Sequence, residues 1–152
     1  VDSTLSLEDL DEIIGLGVVV LERANQIERA MALLERLRGR TEYASHNPIV
    51  RGFREAQLGR LLILAGRPSE GIQVWLQAVS GLVKGDSATA SLISVQTLEL
   101  IEGGTLDPRD IRLRDLVQAL QACISSKSFP HILGLAELSR HVVTGLRSDT
   151  EK

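Results

Sequence analysis

The chain has a single cysteine, Cys123, so it can form neither an internal disulfide nor a cysteine-based structural zinc site. A lone thiol in an apolar helical pattern reads as a small buried hydrophobe rather than a nucleophile. Nothing calls for an oxidising compartment, and a cytoplasmic or other reducing setting is expected. Aromatics are scarce at 3%, with one Trp, one Tyr and two Phe. Leu, Ile, Val and Ala must therefore fill the core, and their small volume suits close helix–helix contact. Charge of one sign is also lacking. Lys and Arg number 17 against 20 Asp and Glu, a net −3 that is no footprint for nucleic acid.

Long apolar runs are missing too. Gly17-Val18-Val19-Val20-Leu21 is flanked by charge and falls far short of the ~20 residues of a membrane span. No basic-then-apolar leader opens the chain, and Val1 is not an initiator, so a processed form or a fragment is expected. His46, His131 and His141 are far apart, and no His-Glu-x2-His or Cys-x2-Cys pairing exists. His131 and His141 read as surface histidines. There is no phosphate-binding Gly-x4-Gly-Lys-Ser/Thr loop, and Ile14-Gly15-Leu16-Gly17 lies inside a helical period with no strand before it. No serine sits in a Gly-x-Ser-x-Gly elbow. The expectation is a protein with no catalytic residue, no cofactor and no metal.

What remains is helical period from end to end. With 152 residues and 43% hydrophobic composition, the chain fits one globular domain able to bury roughly 70% of its unfolded surface. Leu7, Leu10, Ile14, Gly17, Leu21 and Ala24 follow steps of three and four, with Ser6 as cap and Glu8, Asp9, Asp11 and Glu12 in the first turns, where the helix dipole favours acids. Asn25 breaks this helix, and Ile27, Ala30, Met31, Leu34 and Leu37 line the next one up to Gly39. Asn47-Pro48 caps and starts a third helix carrying Val50, Phe53, Leu58, Leu61, Leu62 and Ala65. Gly66-Arg67-Pro68-Ser69 turns the chain into a fourth, with Ile72, Trp75, Leu76, Val79 and Leu82 inward. A fifth, capped by Asp86 or Ser87, buries Leu92, Val95, Leu98 and Ile101 before Gly103-Gly104. Asp107-Pro108-Arg109-Asp110 reads as the start of a sixth, with Ile111, Leu113, Leu116, Leu120 and Ile124 inward. Ser128 caps a seventh, from Phe129 to about Leu146. No strand alternation survives, so the fold class is all-α, a single domain of helical hairpins at about 6–38, 48–84, 86–126 and 128–146.

Residues 56–78 hold the most specific pattern. Gly59 and Gly71 sit where two helix backbones can approach closely, with Leu62 and Trp75 filling the space beside them and Ala78 leaving room for a neighbour. This order resembles the tetratricopeptide repeat, whose signature is Trp-x2-Leu-Gly-x2-Tyr, then Ala-x3-Phe, then Pro. Leu58-Gly59 match its Leu-Gly, Leu62 and Trp75 fall on its two aromatics and Gly66 on its turn glycine, while Gly71 replaces its alanine. Glu55 stands in the tryptophan's place, and no proline closes the unit near Val83. The resemblance covers about 30 residues, a core at 50–84, with weaker echoes at 11–38 and 112–143. A generic helical bundle satisfies the same local patterns.

Such repeats bind other proteins and do no chemistry. The resemblance implies an adaptor or scaffold that takes a partner's peptide or helix in a groove of first helices. In that groove it places Phe53 as apolar anchor and Arg60, Arg23, Gln57 and Ile63 as further contacts. The family's chaperone-tail clamp is not implied, because Val19, Gln57 and Arg60 occupy its asparagine and lysine places. Arg36, Arg38, Arg40, Arg51, Arg54, Arg60 and Arg67 bracket the 39–48 loop. The outer arginines read as solvated helix faces paired with Glu35, Glu42 and Glu55. A secretion chaperone of the same build, a sensor or oligomerisation domain of a larger regulator, and a self-assembling structural protein stay open. So does a homodimer through exposed apolar ends.

Overall fold

The computed structural model describes residues 5–80, 88–123, 138 and 140–142. Helices joined by short turns make up these residues, with no strand among them. Helix α1 spans Leu7–Arg23, α2 Ile27–Arg38, α3 Pro48–Leu64, α4 Pro68–Ser80, α5 Ala88–Glu102 and α6 Ile111–Cys123, with a 3-10 turn at Tyr43–Ser45. Leu138 and Arg140–Val142 are helical as well. The rest of the expected seventh helix, its cap at Ser128, the cap of α5, and Leu82 and Ile124 lie outside the described residues. No helix among the described residues is long and apolar enough to cross a membrane.

The helix boundaries follow local chemistry. The Ser6 hydroxyl accepts from the Asp9 N–H at 3.2 Å, and the Asn47 side chain from Ile49 N–H at 2.9 Å. Asn25 and Gly66 take positive φ, 58° and 84°, and so reverse the chain after α1 and α3. The start of α6 differs from the sequence expectation. Asp107 spends its carboxylate on Arg109, and Asp110 caps the helix instead, accepting from Arg112 N–H at 3.0 Å. Arg112 also pairs with Asp110, which holds that carboxyl below its usual range. Helix α6 therefore begins three residues later than the Pro108 signal implied, and Ile111 is exposed rather than inward.

Helix α3 is the spine. It packs on α1, α2, α4 and α5, while α4 packs on α5 and more extensively on α6. Its two sides serve two hydrophobic clusters. Leu58, Leu61 and Leu62 join Leu7, Leu10, Ile14, Val18, Ala30, Leu34 and Leu37 of the first hairpin. Ala56 and Ile63 join Ile72, Trp75 and Val79 together with α5, α6, Leu138 and Val142.

The α3–α4 crossing depends on two missing side chains. A Cβ at Gly59 would lie 2.2 Å from Trp75 Nε1, and one at Gly71 would lie 2.5 Å from the Gly59 carbonyl oxygen. Trp75 is fully buried there, and its indole N–H donates to the Ala56 carbonyl at 3.0 Å. The α3–α5 crossing is similar, since a Cβ at Gly52 would meet Thr89 Oγ1 at 2.7 Å. Helix α5 buries Ile101 and packs Leu92 on the core as its apolar spacing suggests, but its buried face also takes in polar residues. Ser94 and Thr97 are buried, their hydroxyls bonded back to the carbonyls of Ala90 at 2.8 Å and Ile93 at 2.6 Å. Ile93 and Leu100 complete that face, and Val95, expected inside, is exposed.

Candidate functional site

The N-terminal halves of α1 and α3 are joined by an ion pair whose carboxylate is buried and whose guanidinium is partly exposed. Arg54 donates from Nε to Asp11 Oδ1 at 3.0 Å and from Nη2 to Oδ2 at 3.2 Å, a fork that matches the planar carboxylate. Asp11 is only 5% exposed. The remaining nitrogen of Arg54 donates to Gln57 Oε1 at 2.9 Å, and Gln57 Nε2 reaches the Gly15 carbonyl at 3.4 Å. Gly15 is what admits this arrangement, because a Cβ there would stand 2.5 Å from the guanidinium carbon. His46, 8% exposed, brings Nε2 to 3.9 Å from Asp11 Oδ1 and makes no hydrogen bond with that nitrogen.

Beside this pair lies an open cavity of about 320 Å³, lined by Glu8, Asp11, Glu12, His46, Val50, Phe53 and Arg54. It shares Glu8, His46 and Val50 with a larger cleft of about 660 Å³ that runs past Leu5, Ser6, Arg40 and Asn47. Further along α3, Arg60 donates to Glu22 of α1 at 2.9 Å and pairs with Glu99 of α5 at 3.5 Å, tying three helices across one face. A separate cleft of about 440 Å³ lies between α2 and α4, lined by residues that include Met31, Leu62, Arg67 and Val74.

The five residues expected to meet a partner separate in the structure. Phe53 is half-buried in the wall of the smaller cavity. Arg23 is exposed in the last turn of α1. Arg60 is committed to Glu22 and Glu99, and Gln57 to Arg54 and the α1 backbone. Ile63 is 2% exposed and packs in the second cluster, so a partner cannot reach it. That placement is a correction, and its cause is the phase of α3: the close crossing with α4 turns Ile63 towards Gly71.

Asp11, Arg54 and His46 were the residues missed. Asp11 falls on the apolar stripe, four residues after Leu7 and seven before Val18, and a carboxylate at such a position needs a buried partner. The outer arginines do pair locally, Arg38 with Glu35 at 3.1 Å and with Glu55 at 3.2 Å, and Arg40 with Glu42 at 3.2 Å. Among the described residues no group of three or more His, Cys, Asp or Glu is placed to hold a metal.

Tyr43, the chain's single tyrosine, is buried and donates to Glu55 Oε1 at 2.8 Å. Burial pushes its hydroxyl far above the ordinary range, the Glu55 hydrogen bond adds to that, and Arg38 opposes it. The folded chain therefore holds this proton more tightly than the unfolded one. The resulting stability is complete below the unfolded value of about 10 and is lost as pH rises from there towards the folded value. In an alkaline titration, tyrosinate absorbance is expected to appear only together with loss of helical circular dichroism. Tyrosinate forming near pH 10 with the helices intact would contradict this.

No family model matches the chain, and no curated protein or solved structure does either.

Proposed function

We propose that this chain is a non-catalytic protein-interaction module of tetratricopeptide-like hairpins that takes a partner's peptide or helix along the face shared by α1 and α3. The order of neighbours supports an array: α1 and α2 pair, α3 packs on both and pairs with α4, and α5 follows on α3 and α4. The Gly59–Trp75 and Gly71 contacts fall on the positions that carry the repeat resemblance. The extensive α4–α6 packing departs from a regular array.

One observation carries the choice of partner. The two α3 arginines of this face are already neutralised, Arg54 by Asp11 and Arg60 by Glu22 and Glu99, whereas Glu8 and Glu12 stand exposed on the rim of a cavity walled by Val50 and Phe53. The face thus offers an apolar floor with an acidic edge. It suits a segment bearing Lys or Arg beside Leu or Phe, reversing the acidic partner that free arginines would imply.

Peptides selected by display against the full chain test this directly. They are expected to combine basic and apolar residues, and to bind about tenfold or more weakly to Phe53→Ala and to Glu12→Lys, as hot-spot truncation costs. Both variants should keep the wild-type melting temperature within a few degrees. Selection of acidic peptides, or equal affinity for both folded variants, would remove the proposal.

A further inference from the structure

Helix α1 is apolar on two sides. One side packs Leu7, Leu10, Ile14 and Val18 into the core. On the other, Ile13 is 57% exposed, Leu16 67% and Val20 65%, a stripe that no described residue covers. Steps of four and three extend that stripe to Asp9 in the first turn and Arg23 in the last, both exposed and both seven residues from Leu16. Asp9, Ile13, Leu16, Val20 and Arg23 thus form a seam of the spacing that helices use to pack side by side. Its ends carry opposite charge, and neither end side chain forms an ion pair with another described residue.

We propose that this seam joins two copies of the chain, α1 against α1 in antiparallel orientation, with the two-fold axis at Leu16. A two-fold contact must be self-complementary, because each surface meets its own copy reversed. Turned about Leu16, the seam meets that condition. Leu16 faces Leu16 of the partner subunit, Ile13 comes within one residue of the partner subunit's Val20, and Asp9 lies level with the partner subunit's Arg23. The parallel orientation would set Asp9 against Asp9 and Arg23 against Arg23. Antiparallel pairing also opposes the two helix dipoles. A single helix pair is smaller than a standard interface, so the dimer is reversible rather than permanent. None of the five seam residues lines the cavity proposed to take the peptide, so this inference does not depend on the proposed function.

Sedimentation equilibrium of the full chain, loaded from about 1 to about 500 µM to span the range a small interface populates, tests it. Wild type is expected to shift from monomer to dimer with concentration, and Leu16→Glu to stay monomeric with unchanged circular dichroism. The charge ends give the sharper test. Asp9→Arg alone and Arg23→Glu alone should each weaken self-association at least tenfold, since each places like charges together. A one-to-one mixture of these two variants should associate again, because each supplies what the other lacks. A wild-type chain that is monomeric throughout leaves the stripe to another occupant and overturns the proposal. Association that survives Leu16→Glu, or a mixture no more associated than its components, overturns it as well.

Discussion

Gly59→Ala is expected to destabilise the fold by about 2–4 kcal/mol, although alanine is the better helix former. The propensity gain is about 1 kcal/mol. Against it stands a methyl group 2.2 Å from Trp75 Nε1, in a pocket where the indole has no exposed edge to retreat to. Overpacking of that kind costs about 1–3 kcal/mol. Displacing the ring also separates its N–H from the Ala56 carbonyl, now 3.0 Å away, and a buried orphaned donor adds about 1–3 kcal/mol. Domains of this size carry about 5–15 kcal/mol in total, so the loss is large. Trp75 is the only tryptophan, and its fluorescence reports the site alone. The variant should show a red-shifted emission and an earlier urea midpoint. Trp75→Leu should lose stability by itself yet lose little more when Gly59→Ala is added, because the smaller side chain admits the methyl. Additive losses would mean that the two residues are not in contact.

The second large effect belongs to the Asp11–Arg54 pair. Arg54→Met is expected to cost about 3–5 kcal/mol, since it leaves a carboxylate without its partner at a position almost closed to water. Asp11→Leu combined with Arg54→Met should recover most of that loss, because a buried ion pair replaced by packed apolar groups is often neutral or better. The double variant is informative beyond stability. If the pair only fastens α1 to α3, peptides selected on the wild-type chain should bind it within about threefold, below the loss expected of a hot-spot residue. The measurement is a set of chemical denaturation curves for the two single variants and the double. A double variant no more stable than Arg54→Met would contradict the role given to the pair.

Much of the fold was legible because its signals are local. Ser6, Asn47-Pro48, Asn25 and Gly66 each act on their own turn of chain, and each does in the structure what its side chain or backbone freedom dictates. Gly59 and Gly71 were legible for a different reason, because a small residue at helical spacing from a tryptophan has little use except a close crossing. What failed was phase and competition. Counting large apolar residues on α5 placed Ile101 correctly but put Val95 inside and missed Ser94 and Thr97, which can be buried once their hydroxyls bond to the preceding turn. Two aspartates three residues apart each accept from the backbone N–H two positions on, so both carry a helix-start signal, and α6 follows the second of them, Asp110.

The candidate site was harder to read than the fold. Its chemistry joins Asp11 to Arg54 across 43 positions, and no local spacing announces such a contact. Arg60 therefore reads as an available contact in the sequence, and only the partners of Arg54 and Arg60 on α1 and α5 show which charge the surface has left. Ile63 shows the same limit from the other side, since one residue of helical phase separates a groove wall from a core.

Peptide-induced chemical shift changes, recorded on the isotope-labelled full chain with a display-selected peptide, measure the central claim most directly. The account predicts that the largest changes fall on Glu12, Val50, Phe53 and Arg54, with α2 and α4 little affected. Changes centred instead on Met31, Leu62 and Val74, in the cleft between α2 and α4, would place binding on a different surface and contradict it.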